Sequence, residues 1–154
     1  MRTVYRVLAY LLALEVVVQA AAMVYAVAGL GRWIDNGGVA DKATLENDDQ
    51  AFSEAVGFIA HGINGSMVVP AIVLLLLIVS FFARIPRGSW WALGLLLLVA
   101  LQAELGFLGH STPLLGLLHG INALAVFTVA LVTARRAKTP KPVPAEPVAD
   151  RAEV

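Results

Sequence analysis

The chain has 154 residues, 59% of them hydrophobic and 14% charged, with a formal net charge of +0. Soluble domains carry about 45–50% apolar and about 25% charged residues. This composition, with a mean hydropathy of +0.80, excludes a water-soluble globule and points to an integral membrane protein. The zero balance argues against nucleic-acid binding, which needs a basic excess. Cysteine is absent, which removes disulfides, CxxC redox pairs, thiolate zinc sites, cysteine-ligated clusters and covalent haem attachment. Any metal must be held by histidine or carboxylate.

Four apolar runs follow one another, at about 5–30, 55–83, 90–109 and 114–134, each near or above the roughly 20 residues a helix needs to cross the bilayer. The first contains Glu15 and Gln19 and outlasts the roughly 7–15-residue apolar core of a signal peptide, so it reads as a retained helix. The loop 31–54 is acidic, with Asp35, Asp41, Glu46, Asp48, Asp49 and Glu54. The second run carries His61 and Asn64, and Pro70 predicts a kink that frees a carbonyl. Trp33 at one boundary and Trp90-Trp91 at the other read as interfacial anchors. The third run holds Gln102 and Glu104, and the fourth holds His119 and Asn122. The tail 137–154 is rich in proline and charge and is expected to be disordered.

Two of the three connections are short, which forces antiparallel neighbours. The expected fold is all-α: an up-down four-helix membrane bundle over residues 1–136, built from two tandem helix hairpins. Nine of the eleven lysines and arginines flank the same side, from Arg2, Arg6, Arg84 and Arg87 to Arg135, Arg136, Lys138, Lys141 and Arg151. The positive-inside rule then predicts a multi-pass protein of the plasma membrane with both termini cytoplasmic and the acidic loop outside.

The sequence His61-Gly62-Ile63-Asn64 recurs as His119-Gly120-Ile121-Asn122. A weaker match pairs Val16-Val17-Val18-Gln19-Ala20 with Val99-Ala100-Leu101-Gln102-Ala103. The two hairpins thus read as repeats, and sites tend to lie where repeats meet. Both histidines fall about 8–9 Å below the outer surface, at about 1.5 Å per residue. Neighbouring helices pack about 8–10 Å apart, so diagonal helices two and four stand about 11–14 Å apart, the separation two histidines need to share one haem iron. Gly57, Gly62, Gly65, Gly116 and Gly120 leave either a slot for a porphyrin or a small-xxx-small packing surface. Ionisable residues in membranes are costly and tend to be functional.

Two carboxylates in the spans have two readings each. Glu15 is a proton relay or a bonded structural carboxyl. Glu104, level with the histidines, is a partner to an imidazole Nδ1–H or a group reaching to the interface. Asn64, Asn122, Gln19 and Gln102 read as interhelical hydrogen bonders, and His110 as a solvated interface residue.

The stretch Leu101-Gln102-Ala103-Glu104-Leu105-Gly106, with Pro113, Leu118-His119 and Ala123, resembles one half of the haem A synthase family. Small four-helix bacterial membrane proteins share the pattern. The resemblance implies a haem near the outer face, His61 and His119 as axial ligands, and Gln102 beside the haem. The family's catalytic glutamate falls at Phe58, its arginine after the histidine at Gly62, and its outer cysteine pair is missing here. Haem binding is therefore expected without haem A synthesis.

The candidate cofactor residues are His61, His119, Gly62, Gly120, Gln102 and Glu104, with His61 and His119 on the metal of a b-type haem. The expected role is electron transfer or haem handling, served by a redox or haem-delivery partner or by a homodimer that mimics the fused family. A haem-free scaffold or accessory subunit is the alternative, and a half-length haem A synthase the weaker one.

Overall fold

In hydrocarbon, backbone N–H and C=O groups must be satisfied within the protein, and an isolated apolar run meets that demand as a helix. The computed structural model, which describes residues 1–42, 44 and 51–137, has such helices and no strand among them. They are α1 (Arg2–Asp35), α2 (Ser53–Ser80), α3 (Gly88–Gly109) and α4 (Pro113–Arg136), all four long and apolar enough to cross a membrane. The protein is an all-α bundle and, by helix length and composition, a multi-pass membrane protein. Glu46, Asp48, Asp49 and the tail beyond Ala137 lie outside the described residues.

Local chemistry explains the ends. α1 continues beyond Leu30 to Asp35 because nothing interrupts it before Gly37, whose φ of 92° only glycine adopts cheaply. α3 starts after Arg87, a left-handed residue at φ 57°. Pro113 opens α4, where its missing N–H would have had no helical partner.

α2 is composite. A 3-10 turn at Ser53–Ala55 leads into an α-helix at Val56–Ile63, a π-helical turn at Asn64–Val68 and an α-helix at Val69–Ser80. Pro70 has no N–H to offer the Ser66 carbonyl. The wide turn just before it, closed by Val69 N–H to the Asn64 carbonyl, takes up the mismatch. The Ser66 hydroxyl donates back to the Gly62 carbonyl at 2.7 Å.

α1 packs on α2 and α4, and α3 also packs on α2 and α4. The diagonals are therefore α1–α3 and α2–α4, as an up-down bundle of two hairpins requires. The core is one-sided. Tyr5, Leu12, Val73, Leu76, Leu95 and Val126 are fully buried, and all lie toward the end that holds the N-terminus, the α2–α3 connection and the close of α4. Ala9, Ala92, Ala130 and Ala134 are at 0% exposure there, because small residues let helix backbones approach where lipid gives no hydrophobic drive. Tyr5 Oη donates to the Gly88 carbonyl at 2.8 Å and Arg2 to the Arg84 carbonyl at 2.6 Å. With Arg6, Arg87, Arg135 and Arg136 also present, this is the arginine end of the bundle.

At the opposite end each hairpin is tied within itself, with Gly109 of α3 close against Gly116 of α4. Glu54 is ion-paired to Arg32 and seated against Gly29, where a Cβ would stand 2.2 Å from the Glu54 Cβ. Trp33 stacks on Phe52 at 5.6 Å, and Phe52 meets Phe58 edge-on at 6.5 Å.

Candidate functional site

His61 and His119 face each other across the diagonal, with ring centroids 6.0 Å apart and ring planes at 59°. Each is held the same way. His61 Nδ1 lies 3.2 Å from the Gln19 carbonyl oxygen, and His119 Nδ1 lies 2.9 Å from the Gln102 carbonyl oxygen. A carbonyl oxygen has only lone pairs, so Nδ1 must carry the proton and donate. In the neutral rings Nε2 is then the nitrogen with a free lone pair, the tautomer a metal-binding imidazole takes when its other nitrogen is anchored.

One turn deeper the repeat diverges. Asn64 Nδ2 donates to Glu15 Oε2 at 2.6 Å. Asn122 Nδ2 donates to the Leu98 carbonyl at 3.0 Å and to Gln102 Oε1 at 2.7 Å. Leu98 stands in the third helix where Glu15 stands in the first, four residues before the paired glutamine. Gln102 therefore holds His119 with its backbone and Asn122 with its side chain. The Gln19 amide, by contrast, is buried with neither Nε2 nor Oε1 bonded.

The histidines line a cavity of about 580 Å³, within the roughly 300–1,000 Å³ typical of small-molecule and cofactor sites. Its walls follow the repeat. Val16, Gln19 and Ala20 face it from α1, and Val99, Gln102 and Ala103 from α3. Gly62, Gly65 and Ser66 line it from α2, and their counterparts Gly120, Ala123 and Leu124 from α4. A Cβ on Gly62 or Gly120 would meet nothing within 4 Å, so both glycines border open space. The room exists because the Val56–Ile63 segment of α2 packs chiefly on α1, whereas Val69–Ser80 packs on both α1 and α3.

Of the residues singled out from sequence, His61, His119, Gly62, Gly120 and Gln102 come together on this cavity. Glu104 does not: it is exposed and absent from the lining, and the Gln102 carbonyl takes the His119 Nδ1–H. His110 sits on the cavity rim and is exposed. Gly106 escaped notice as a site residue. A Cβ there would stand 3.1 Å from the His119 ring, so its bareness sets where that ring can lie. Gln19 was legible only as a hydrogen bonder, and its backbone role has no side-chain signature.

The donor set limits the chemistry. Among the described residues no group of three or more His, Cys, Asp or Glu side chains gathers around one point. A metal held by protein alone is thus poorly served, whereas an iron already bound by four porphyrin nitrogens needs only two axial ligands. With metal–nitrogen bonds of about 2 Å and about 1.1 Å from nitrogen to ring centre, two imidazoles on one metal have centroids about 6 Å apart. The observed separation is 6.0 Å.

A model for a family of unknown function (DUF6220) matches residues 51–106. That segment covers α2 and most of α3, including His61, Gly62 and Gln102, and ends before His119. Comparison with curated proteins and with solved structures finds no match.

Proposed function

We propose that the protein is a b-type haem protein of the cell membrane, with His61 and His119 as the axial ligands of one haem and both termini cytoplasmic. The observation that carries this reading is the matched imidazole pair, Nδ1 anchored on both sides and centroids 6.0 Å apart across a glycine-bordered cavity. The Gln19 and Gln102 carbonyls fix ring orientation and raise the basicity of each Nε2. Gly62, Gly65, Gly120 and Ala123 leave the walls low enough for a flat macrocycle. A bound haem would supply one-electron chemistry at iron.

Positive-inside placement puts the arginine end in the cytoplasm and the histidines in the outer half of the bilayer. A haem near one face serves electron transfer or haem handling with a partner or a second copy of the chain. It does not by itself span the membrane. The likeness to the haem A synthase family supports haem binding more than haem A synthesis. At the position where that chemistry would want a carboxylate, Phe58 sits edge-on to Phe52 in an apolar cluster.

A second reading, a haem-free scaffold, draws on the Asn64–Glu15 and Asn122–Gln102 hydrogen bonds, which knit the helices without any cofactor. One experiment separates the two. Protein purified from a haem-replete host should be red, give split α and β bands with dithionite, and lose both in H61A/H119A. A colourless wild-type protein, or unchanged haem in the double variant, rejects haem ligation.

A further inference from the structure

A second concavity lies at the arginine end, between α3 and α4, and shares no lining residue with the histidine cavity. It encloses about 520 Å³ and is bordered by Arg87 and Arg136 at the end of the bundle and by Gly94, Leu98 and Val129 along the helices. The Arg136 guanidinium lies over the Trp91 ring, 4.6 Å from its centroid. Stacking holds the guanidinium plane while leaving its N–H edges free to donate. A Cβ on Gly94 would meet nothing within 4 Å, so the groove stays open below the charges. Polar donors at the end of an apolar channel running into the span match a phosphate headgroup with its acyl chain beneath.

Charge points the same way. Every described carboxylate, in Glu15, Asp35, Asp41, Glu54 and Glu104, belongs to the middle of α1 or to the histidine-side half. The Arg32–Glu54 ion pair is also at the far end. Arg87 and Arg136 thus face the bilayer surface with no described acid beside them. A planar guanidinium binds phosphate oxygens in a bidentate fork, and basic pockets between membrane helices bind anionic headgroups.

We propose that the groove between α3 and α4 at the arginine end binds the phosphate headgroup of an anionic phospholipid, with an acyl chain along Gly94, Leu98 and Val129. The test uses the full chain carrying Trp33→Phe, so that emission comes from Trp90 and Trp91, reconstituted with brominated phosphatidylglycerol or brominated phosphatidylcholine. Quenching by the anionic lipid should exceed that by the zwitterionic lipid about fivefold for each arginine engaged. R87Q/R136Q should bring the two lipids level, and each single substitution should remove part of the preference if the double variant does not fold. R6Q/R135Q, which removes the same charge from the same end, should leave the preference intact.

Four results would overturn the proposal. Equal quenching in the parent means no site. A matching loss in R6Q/R135Q means surface charge only. Abolition by saturating inorganic phosphate means a free-anion site. A marked rise in E146Q/D150N/E153Q means carboxylates of the C-terminal segment are the occupant.

Discussion

In the arginine half of the bundle the four helices close on one another through alanines and leucines; in the histidine half the two hairpins stand apart around a cavity. The two halves use different forces. Association in lipid gains little from burying apolar surface, so the closed half depends on close packing between small residues and filled gaps. In the open half each hairpin stays close-packed, Gly57 on Ala22 and Gly109 on Gly116, and adds polar ties between its own two helices: His61 to Gln19, His119 to Gln102, Asn64 to Glu15, and Asn122 to Gln102. A fold divided this way can keep its shape in one half while leaving room for a ligand in the other.

The largest expected effect comes from filling the open half. Gly62→Leu with Gly120→Leu places side chains where a Cβ meets nothing within 4 Å, so the protein without haem should unfold at the wild-type point. Haem occupancy, read from the reduced absorption spectrum, should fall about tenfold or more, because a crowded slot costs about 1–3 kcal/mol or more. Loss of fold together with loss of pigment would show that the halves are not separable.

The reverse experiment acts on the closed half. Leu95 and Leu12 are fully buried, and truncating either to alanine leaves a void that neighbouring helices refill only in part. Each should cost about 2 kcal/mol in unfolding by sodium dodecyl sulfate in mixed micelles. The haem spectrum of the folded fraction should not move. A shifted spectrum would mean that packing near the arginine end is transmitted to the histidines.

Much of this division was legible in the sequence. The duplicated His-Gly-Ile-Asn segments placed two histidines at one depth on diagonal helices, and the paired Val-x-x-Gln-Ala segments, which the structure puts on opposite cavity walls, were visible as a weak match. Glu104 shows what depth alone misses. It is level with the histidines, but it follows Gln102 by two residues, about 200° around a helix, and so points outward. Gly106, four residues after Gln102, returns to the same face and touches His119. The anchors themselves are backbone carbonyls, which every residue has, so no residue type could have marked them. The wide turn at Asn64–Val68 was only half legible: Pro70 announced a disturbance without specifying a π-helical turn.

The broken symmetry between the repeats yields a smaller, directional prediction. Asn64→Leu leaves the Glu15 carboxyl without its partner inside the span, whereas Asn122→Leu strands only the Gln102 amide oxygen and a helix carbonyl. The first should cost about 2 kcal/mol and the second about 1 kcal/mol in the same micelle titration. Adding Glu15→Leu to Asn64→Leu should recover most of the loss, since removing both partners of a buried pair is cheaper than removing one. Equal costs, or no recovery, would mean that Glu15 finds another donor.

The smallest expected effect returns to the closed half, at a polar imperfection. Thr133 is at 0% exposure in the alanine-lined contact of α4, and its Oγ1 has no hydrogen-bond partner. Valine has the same branched shape and no hydroxyl to desolvate. Thr133→Val should therefore raise stability by about 1 kcal/mol, the low end of what an unmade buried hydrogen bond costs, with no change in pigment. Destabilisation would show that the hydroxyl is bonded in the membrane. Thr133 would then add to the polar ties that Tyr5 and Arg2 already make in the closed half.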